Sequence, residues 1–273
     1  GQWSSYPIAQ CITYLGRESI TMLTEKSAER GYIPLAGHTD SAYIKVPFDK
    51  AEEIANYLTD IAQTEMNLKH LDVELEAYFD YWLTASVKNR NFGVKVWPKD
   101  EAGQLKVTGF SIIASRSSPI CRKVLKEAFN INATGKDEND VWDKVRPIVK
   151  SVYSGEVSIE DVSAYGRLSK HLDEYHPSHT PMTAKAAMYS NTHLDTEYGK
   201  GEGIKWVHID GVPEGQPPCN VIAYDDESQL EGYEIDWSTI VDKSITKKLK
   251  LVYETLDWDL NRLTERRIPK KYW

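Results

Sequence analysis

The sequence predicts an α+β chain in which a short antiparallel hairpin sheet packs on two helices and a mainly α-helical part follows. Three observations support this prediction. Two segments with helical apolar spacing flank a pair of short apolar runs that surround a polar turn. Residues 71–113 then alternate between apolar and polar side chains, as half-buried strands do. From Ser118 onward the apolar spacing becomes helical.

The N-terminal part contains the two helices and the hairpin. The first helix is predicted over residues 10–30, and Gly31 ends it. A second apolar stripe predicts a helix over residues 49–68. Between them, two short strands surround the turn Gly37-His38-Thr39-Asp40-Ser41. Such a hairpin holds its turn at the tip of a stiff ribbon.

The rest of the chain changes from strands to helices. Residues 71–113 are predicted to be rich in strands, with a turn at residues 100–103. We place a domain boundary near residues 116–119, where the periodicity changes. The later elements are helices at residues 118–130, 138–154, 183–194 and 237–258 and strands at residues 205–210 and 220–224.

Basic residues are concentrated in one segment of an otherwise acidic chain. Between Thr84 and Lys126, nine basic residues face two acidic ones, a net charge of +7, whereas the whole chain has a formal net charge of −8. A local basic strip is typical of a surface that binds a phosphate backbone. The alternative is an exposed strand edge protected by lysines.

Composition excludes several classes of protein. The chain of 273 residues has no run of 18 apolar residues, so we expect no transmembrane helix and no membrane partner. No nucleophile elbow or glycine-rich phosphate loop is present. The cysteines Cys11, Cys121 and Cys219 are odd in number and widely spaced, as is typical of reduced thiols. We therefore expect a cytoplasmic protein.

The hairpin turn presents one carboxylate, that of Asp40. A rigid hairpin fixes the position of such a group, which suits a metal ligand. The Thr-Asp-Ser sequence is also ordinary turn chemistry, because these residues favour turns for local reasons. The turn by itself leaves both interpretations open.

The order of the motifs resembles the C-terminal part of a B-family DNA polymerase, of the tailed-phage or viral type. That family has a YGDTDS hairpin turn where this chain has Gly37-His38-Thr39-Asp40-Ser41, and a KKxY strand motif where it has Lys88-Asn-Arg-Asn-Phe-Gly93. The junction between palm and thumb matches residues 109–119, which include Ser117-Ser118-Pro119. Ile235-Asp-Trp-Ser-Thr-Ile240 is similar to a late thumb segment of the phage type.

The resemblance implies DNA-directed DNA synthesis, with residues 1–116 as the end of a palm and residues 117–273 as a thumb with a C-terminal tail. It implies that Asp40 is the catalytic metal ligand and that Thr39 binds the incoming dNTP. The two Mg²⁺ ions of nucleotidyl transfer need oxygen ligands that one carboxylate cannot supply. The family carries the other ligands in a DxxSLYP segment, which this chain lacks. We therefore expect an N-terminal polymerase portion as a partner and no activity without it.

One departure from the family favours an alternative. His38 stands where the family has Asp, and a histidine nitrogen is a poor ligand for Mg²⁺. The alternative is a non-catalytic polymerase fragment that binds DNA or docks to another subunit.

The resemblance also assigns contacts with primer-template DNA. Lys88, Arg90 and Phe92 match the KKxY strand, and Arg116 and Arg122 lie at the palm–thumb junction. For Phe92 the ordinary preference of phenylalanine for burial leaves a core position open instead.

The C-terminal residues 268–273 end in two aromatic side chains after basic residues. The resemblance implies a tail that docks on a sliding clamp. The alternative is a loose terminus. If the chain is viral, the cytoplasmic location becomes the host cytoplasm.

Overall fold

The computed structural model describes residues 6–38, 40–85, 90–110 and 117–264. They form small antiparallel sheets and many helices, which confirms the predicted α+β class. Contacts divide the chain into two compact units. The hairpin unit comprises Gly1–Phe79 and Lys95–Ala102, and the large unit comprises Asp80–Val94 and Gly103–Trp273. The predicted palm–thumb boundary at residues 116 and 117 adjoins undescribed residues and stays a prediction.

The hairpin unit contains the two predicted helices and the predicted hairpin. Helix α1 spans Tyr6–Glu29, strands β1 and β2 span Ile33–Gly37 and Ala42–Lys45, and helix α2 spans Phe48–Thr64. Helix α2 ends four residues earlier than predicted, because Asn67 adopts a left-handed backbone conformation with φ of 56°. The buried side chains between the helices are Met22, Leu23, Ile54, Leu58, Ile61 and Ala62.

A three-stranded sheet follows in the order β3-β4-β5. Its strands are β3 (Tyr78–Thr84), β4 (Asn91–Trp97) and β5 (Leu105–Thr108). The predicted alternation begins at Val73, but the first paired strand begins only at Tyr78. Residues 71–77 have no regular secondary structure, and the backbone of Val73 exchanges hydrogen bonds with the Thr59 hydroxyl of α2.

The large unit is mainly helical and contains a second sheet. Its first helices are α3 (Pro119–Asn132), α4 (Glu138–Tyr153) and α5 (Ile159–Val162). Along the chain, helix α6 (Met182–His193) follows strand β6 (Ala164–Arg167). After it come the strands β7 (Gly203–Gly211), β8 (Val221–Ala223) and β9 (Glu234–Ile235). Both long helices begin at side-chain caps, Ser118 for α3 and Asp137 for α4.

The last predicted helix, at residues 237–258, is not continuous. It consists of α7 (Trp237–Ile240), a π-helical segment (Val241–Thr246) and α8 (Lys247–Tyr253), followed by a 3₁₀ turn. Asp257 then adopts a left-handed conformation with φ of 57°, and a short helix α9 covers Asn261–Thr264. The apolar period identified the helix but not the π-helical segment, in which the hydrogen bonds run from i to i+5.

Aromatic side chains fill the core of the large unit. The ring of Phe92 stacks on Phe129 at 4.1 Å between centroids, and Phe110 meets Phe129 edge-on at 5.0 Å. A second group joins Trp142, Tyr253 and Trp258. Within the described ranges, no helix is long and apolar enough to cross a membrane.

Candidate functional site

The hairpin turn places Asp40 at the surface of the hairpin unit. Strands β1 and β2 pair antiparallel, with Gly37 opposite Ala42. The His38 amide donates to the Ser41 carbonyl over 2.7 Å and closes the turn. Asp40 is exposed and His38 is half-buried, while Thr39 lies outside the described residues. The sequence-predicted carboxylate is therefore available to a ligand in solution.

Gly37 fixes this turn against helix α1. A Cβ atom at Gly37 would lie 2.9 Å from Cγ2 of Ile20, closer than two carbon atoms pack. Only glycine allows the strand to approach the helix so closely. The Ile20 side chain offers little relief, because β-branched residues in a helix are restricted at χ1. The base of the turn is thus held by direct packing.

The chemistry of the turn fits one part of a divalent-cation site. Mg²⁺ prefers six oxygen ligands in octahedral geometry, and the Asp40 carboxylate offers at most two. No group of three or more His, Cys, Asp or Glu side chains in the described part of the chain is arranged to hold a metal ion. The hairpin unit can therefore contribute a ligand, and further oxygen ligands must come from other groups.

The predicted DNA-contacting residues fall into two sets. Lys88 and Arg116 lie outside the described residues. Arg90 immediately precedes β4, and Arg122 lies in the first turns of α3; both are half-buried. Neither guanidinium forms an ion pair with a described carboxylate, so both are available to an external anion. Elsewhere in the basic segment, the Lys95 ammonium pairs with Glu101 and is therefore partly neutralised.

The structure corrects the role of Phe92. Its side chain is fully buried, stacked on Phe129 and close to Phe110. A ring in that position contacts the core and not a nucleic acid. Strand alternation does not explain this result, since the neighbouring Asn91 and Gly93 are buried as well; the rings of Phe110 and Phe129 cover Phe92. The core interpretation that the sequence left open is the one the structure supports.

The sequence did not predict the cavity of about 400 Å³ that the large unit contains. Lys243 and Lys248 both line it. The sequence does not indicate that both lysines line one cavity, because a spacing of five residues in an α-helix separates two side chains by about 140° around the axis. The only sequence feature that could have pointed to it is the proximity of two lysines within a helix predicted to be amphipathic.

Comparisons with known proteins agree with the resemblance to polymerases. A family model described as DNA polymerase family B matches residues 1–254. The chain is 26% identical over 188 residues to DNA polymerase 1 of Saccharolobus solfataricus, covering 66% of this chain and 20% of that protein. It is 28% identical over 165 residues to a DNA polymerase of Paramecium bursaria Chlorella virus NY2A, covering 56% and 18%.

Among solved structures, the family B DNA polymerase of Pyrobaculum calidifontis matches with a TM-score of 0.63 and 17% identity. The match covers 94% of this chain and 31% of that one. At this identity the likeness concerns the fold. The chain spans about a fifth of the length of these curated relatives.

Proposed function

Because the chain belongs to DNA polymerase family B, we propose that it forms the C-terminal part of a DNA-directed DNA polymerase. In this proposal, residues 1–116 complete the palm and residues 117–273 form the thumb. The observation that carries the proposal is the exposed Asp40 carboxylate at the tip of a hairpin whose base is packed on α1. A carboxylate held in this way costs little to organise when a metal ion binds.

The residues of the turn would hold the metal ions and orient the incoming dNTP. Asp40 would supply one carboxylate to a two-Mg²⁺ site, and Thr39 would lie beside the incoming dNTP. When bound, the two ions would lower the pKa of the primer 3′-hydroxyl and neutralise charge on the triphosphate. The partner that supplies the remaining ligands is an N-terminal polymerase portion.

The thumb would hold primer-template DNA through its phosphates. Arg90 and Arg122 are the described candidates, and Lys88 and Arg116 extend the set. Their contacts would position the duplex without reading its sequence, because phosphates carry no base information. The aromatic tail at residues 268–273, outside the described residues, is proposed to dock on a sliding clamp.

A reassembly experiment tests the catalytic role. The chain is mixed with the N-terminal portion of a family B polymerase, and primer extension is followed with Mg²⁺. Asp40→Ala should reduce synthesis at least about a hundredfold, or ~2.7 kcal/mol in the barrier. Asp60→Ala, on the exposed side of α2, is the matched control and should leave synthesis unchanged.

Retention of more than about a tenth of the activity in Asp40→Ala, a loss of only ~1.4 kcal/mol, would make Asp40 an ordinary turn residue. The isolated chain should not extend a primer. Robust incorporation by highly purified chain would contradict the need for a partner.

DNA binding is tested separately from synthesis. Arg122→Ala should weaken duplex binding equally on all sequences and reduce the salt slope by about one unit. Lys144→Ala is the control, since Lys144 is an exposed lysine of α4 outside the basic segment. Equal slopes for both variants and the wild type would show that Arg122 does not contact phosphate.

One observation favours a second candidate function. The turn has His38 where the family has a carboxylate. The second candidate is a non-catalytic fragment that binds DNA or docks to a polymerase subunit. Duplex binding without any Mg²⁺-dependent synthesis after reassembly would favour this candidate.

A further inference from the structure

The cavity in the large unit has an unusual lining. The lining residues with polar side-chain groups are Ser117, Ser118, Trp206, His208, Lys243, Ser244 and Lys248, together with the thiol of Cys121. Neither an aspartate nor a glutamate is among the lining residues. A cavity with two ammonium groups, three hydroxyl groups and no carboxylate favours an anion.

The two lysines are not neutralised by the protein. In the described part of the chain, neither Lys243 nor Lys248 forms an ion pair, whereas the adjacent Lys247 pairs with Asp242 at 3.0 Å. Lys243 lies in the π-helical segment and Lys248 in the first turn of α8, so the path between them includes part of that segment. Its i to i+5 hydrogen bonds widen each turn, so that residues five apart lie nearer to one face than in an α-helix.

The N-terminus of α3 adds to the positive potential. Ser117 and Ser118 lie at this end of a 14-residue helix, where backbone amide groups lack partners within the helix. Pro119 has no amide hydrogen, and the Ser118 hydroxyl already accepts from the Cys121 amide at 3.4 Å. The residues at this end of α3 that line the cavity are Ser117, Ser118 and Cys121.

His208 provides the independent observation. His208 is only 8% exposed, and its Nδ1 lies 3.3 Å from the Asn220 carbonyl. In the described structure, Nε2 of this cavity-lining ring has no hydrogen-bond partner. Because Nδ1–H is directed at the Asn220 carbonyl, Nε2 of the neutral ring faces the cavity with a lone pair, so it binds either a protonated phosphate oxygen or a proton taken up together with the anion.

Neither Cys121 nor His208 adds a negative charge to the cavity. Burial raises the pKa of the Cys121 thiol to about 11, so Cys121 stays neutral and adds no negative charge. Burial lowers the pKa of His208 and the charge of Lys243 adds to this effect, whereas the hydrogen bond with the Asn220 carbonyl and the nearby Asp236 carboxylate act in the opposite direction. The imidazole is therefore neutral near pH 7 until an anion enters.

We propose that this cavity binds a phosphate group through Lys243, Lys248, His208 and the N-terminus of α3. Phosphate offers several acceptor oxygens in a tetrahedral arrangement and up to two negative charges, which matches this set of donors. The cavity exceeds a single phosphate in volume, so the phosphate can belong to a DNA backbone or to a free phosphate compound. Only the DNA source rests on the proposed function.

Titration of the full chain with inorganic phosphate tests the proposal. The His208 ring signals are followed by NMR, and chloride at the same ionic strength is the reference. The wild type should saturate with a Kd of roughly 1–10 mM. The double variant Lys243→Gln with Lys248→Gln should weaken binding at least about tenfold. Lys247→Gln, the matched control, should change it less than about twofold.

Folding is checked by circular dichroism, and the single variant Lys243→Gln, at an exposed position, serves if the double variant is unstable. No specific shift with phosphate, or an equal loss in Lys247→Gln, would overturn the proposal. Short duplex DNA is then added to the phosphate complex. Competition assigns the phosphate to nucleic acid, and its absence assigns it to a free phosphate compound. Loss of primer extension in the reassembled enzyme would not affect either result.

Discussion

The hairpin unit and the large unit differ in how well each covers its own apolar side chains. Three apolar residues of α1, Tyr6, Ile8 and Ile12, are 75%, 62% and 66% exposed. On α4, by contrast, the five core residues Val141, Trp142, Val145, Val149 and Val152 are fully buried. The candidate metal ligand therefore lies on the unit that closes its own core less completely. Regions with fewer buried contacts open at lower free energy.

The largest expected effect concerns the core of the large unit. Phe129→Ala should lower the free energy of unfolding by about 3–5 kcal/mol, because it removes a buried ring from a packed aromatic group. Ile12→Ala on α1 should cost less than about 0.5 kcal/mol, since that side chain already contacts water. Urea denaturation of each purified variant measures both.

A similar loss in both variants would break the comparison. It would mean that a second copy of the chain covers α1 in solution. Measurements at several protein concentrations test this explanation, because association makes the loss depend on concentration.

The same comparison shows what the sequence could predict. Apolar periodicity predicts the longer helices, the hairpin strands and the late strands β7 and β8, but not the short elements α5, β6, β9 and α9. The stripe of α1 contains Ile12, Leu15 and Leu23 at similar spacing, yet Leu23 is buried while Ile12 and Leu15 are exposed. Periodicity shows which face of a helix is apolar, but the element that covers the face is set by the tertiary fold.

The candidate sites divide in the same way. Asp40 was predicted because turn chemistry and motif order are local in sequence. The cavity was not predicted, because the residues that line it come from elements that lie far apart in the chain, among them α3, β7 and the π-helical segment. Phe92 was assigned to DNA by motif position, and its burial depends on Phe129, 37 residues later.

Helix N-termini allow a second, smaller test. Helix α4 begins at Asp137, whose carboxylate accepts from the amides of Asn139 and Asp140 at 2.8 and 3.1 Å. Helix α2 of the hairpin unit begins after Pro47 without a side-chain cap. Asp137→Ala should lower the free energy of unfolding by about 1 kcal/mol, measured by thermal or urea unfolding. Asp137→Asn should retain most of the wild-type stability. An equal loss in both variants would assign the effect to charge and not to the cap.

The smallest expected effect depends on pH. His208 is buried in the large unit, and its folded-state pKa is lowered from the ordinary value of 6.5. The unfolded chain therefore binds a proton more readily, so the free energy of unfolding should fall as pH drops below about 6.5. The slope cannot exceed the ~1.4 kcal/mol per pH unit of one proton. His208→Gln should remove this part of the pH dependence, which chemical denaturation between pH 5 and 8 would measure; an unchanged dependence would assign it to other groups.

The close approach of Gly37 to Ile20 has a consequence for how this hairpin can change in evolution. Because a methyl group at position 37 has no room beside an isoleucine at position 20, the two positions form an epistatic pair. A larger residue at position 37 requires the Ile20 side chain or the strand to shift, and loss of the Cγ2 branch at position 20 removes that requirement. The contact that couples the two positions, 2.9 Å, lies three residues from the candidate metal ligand.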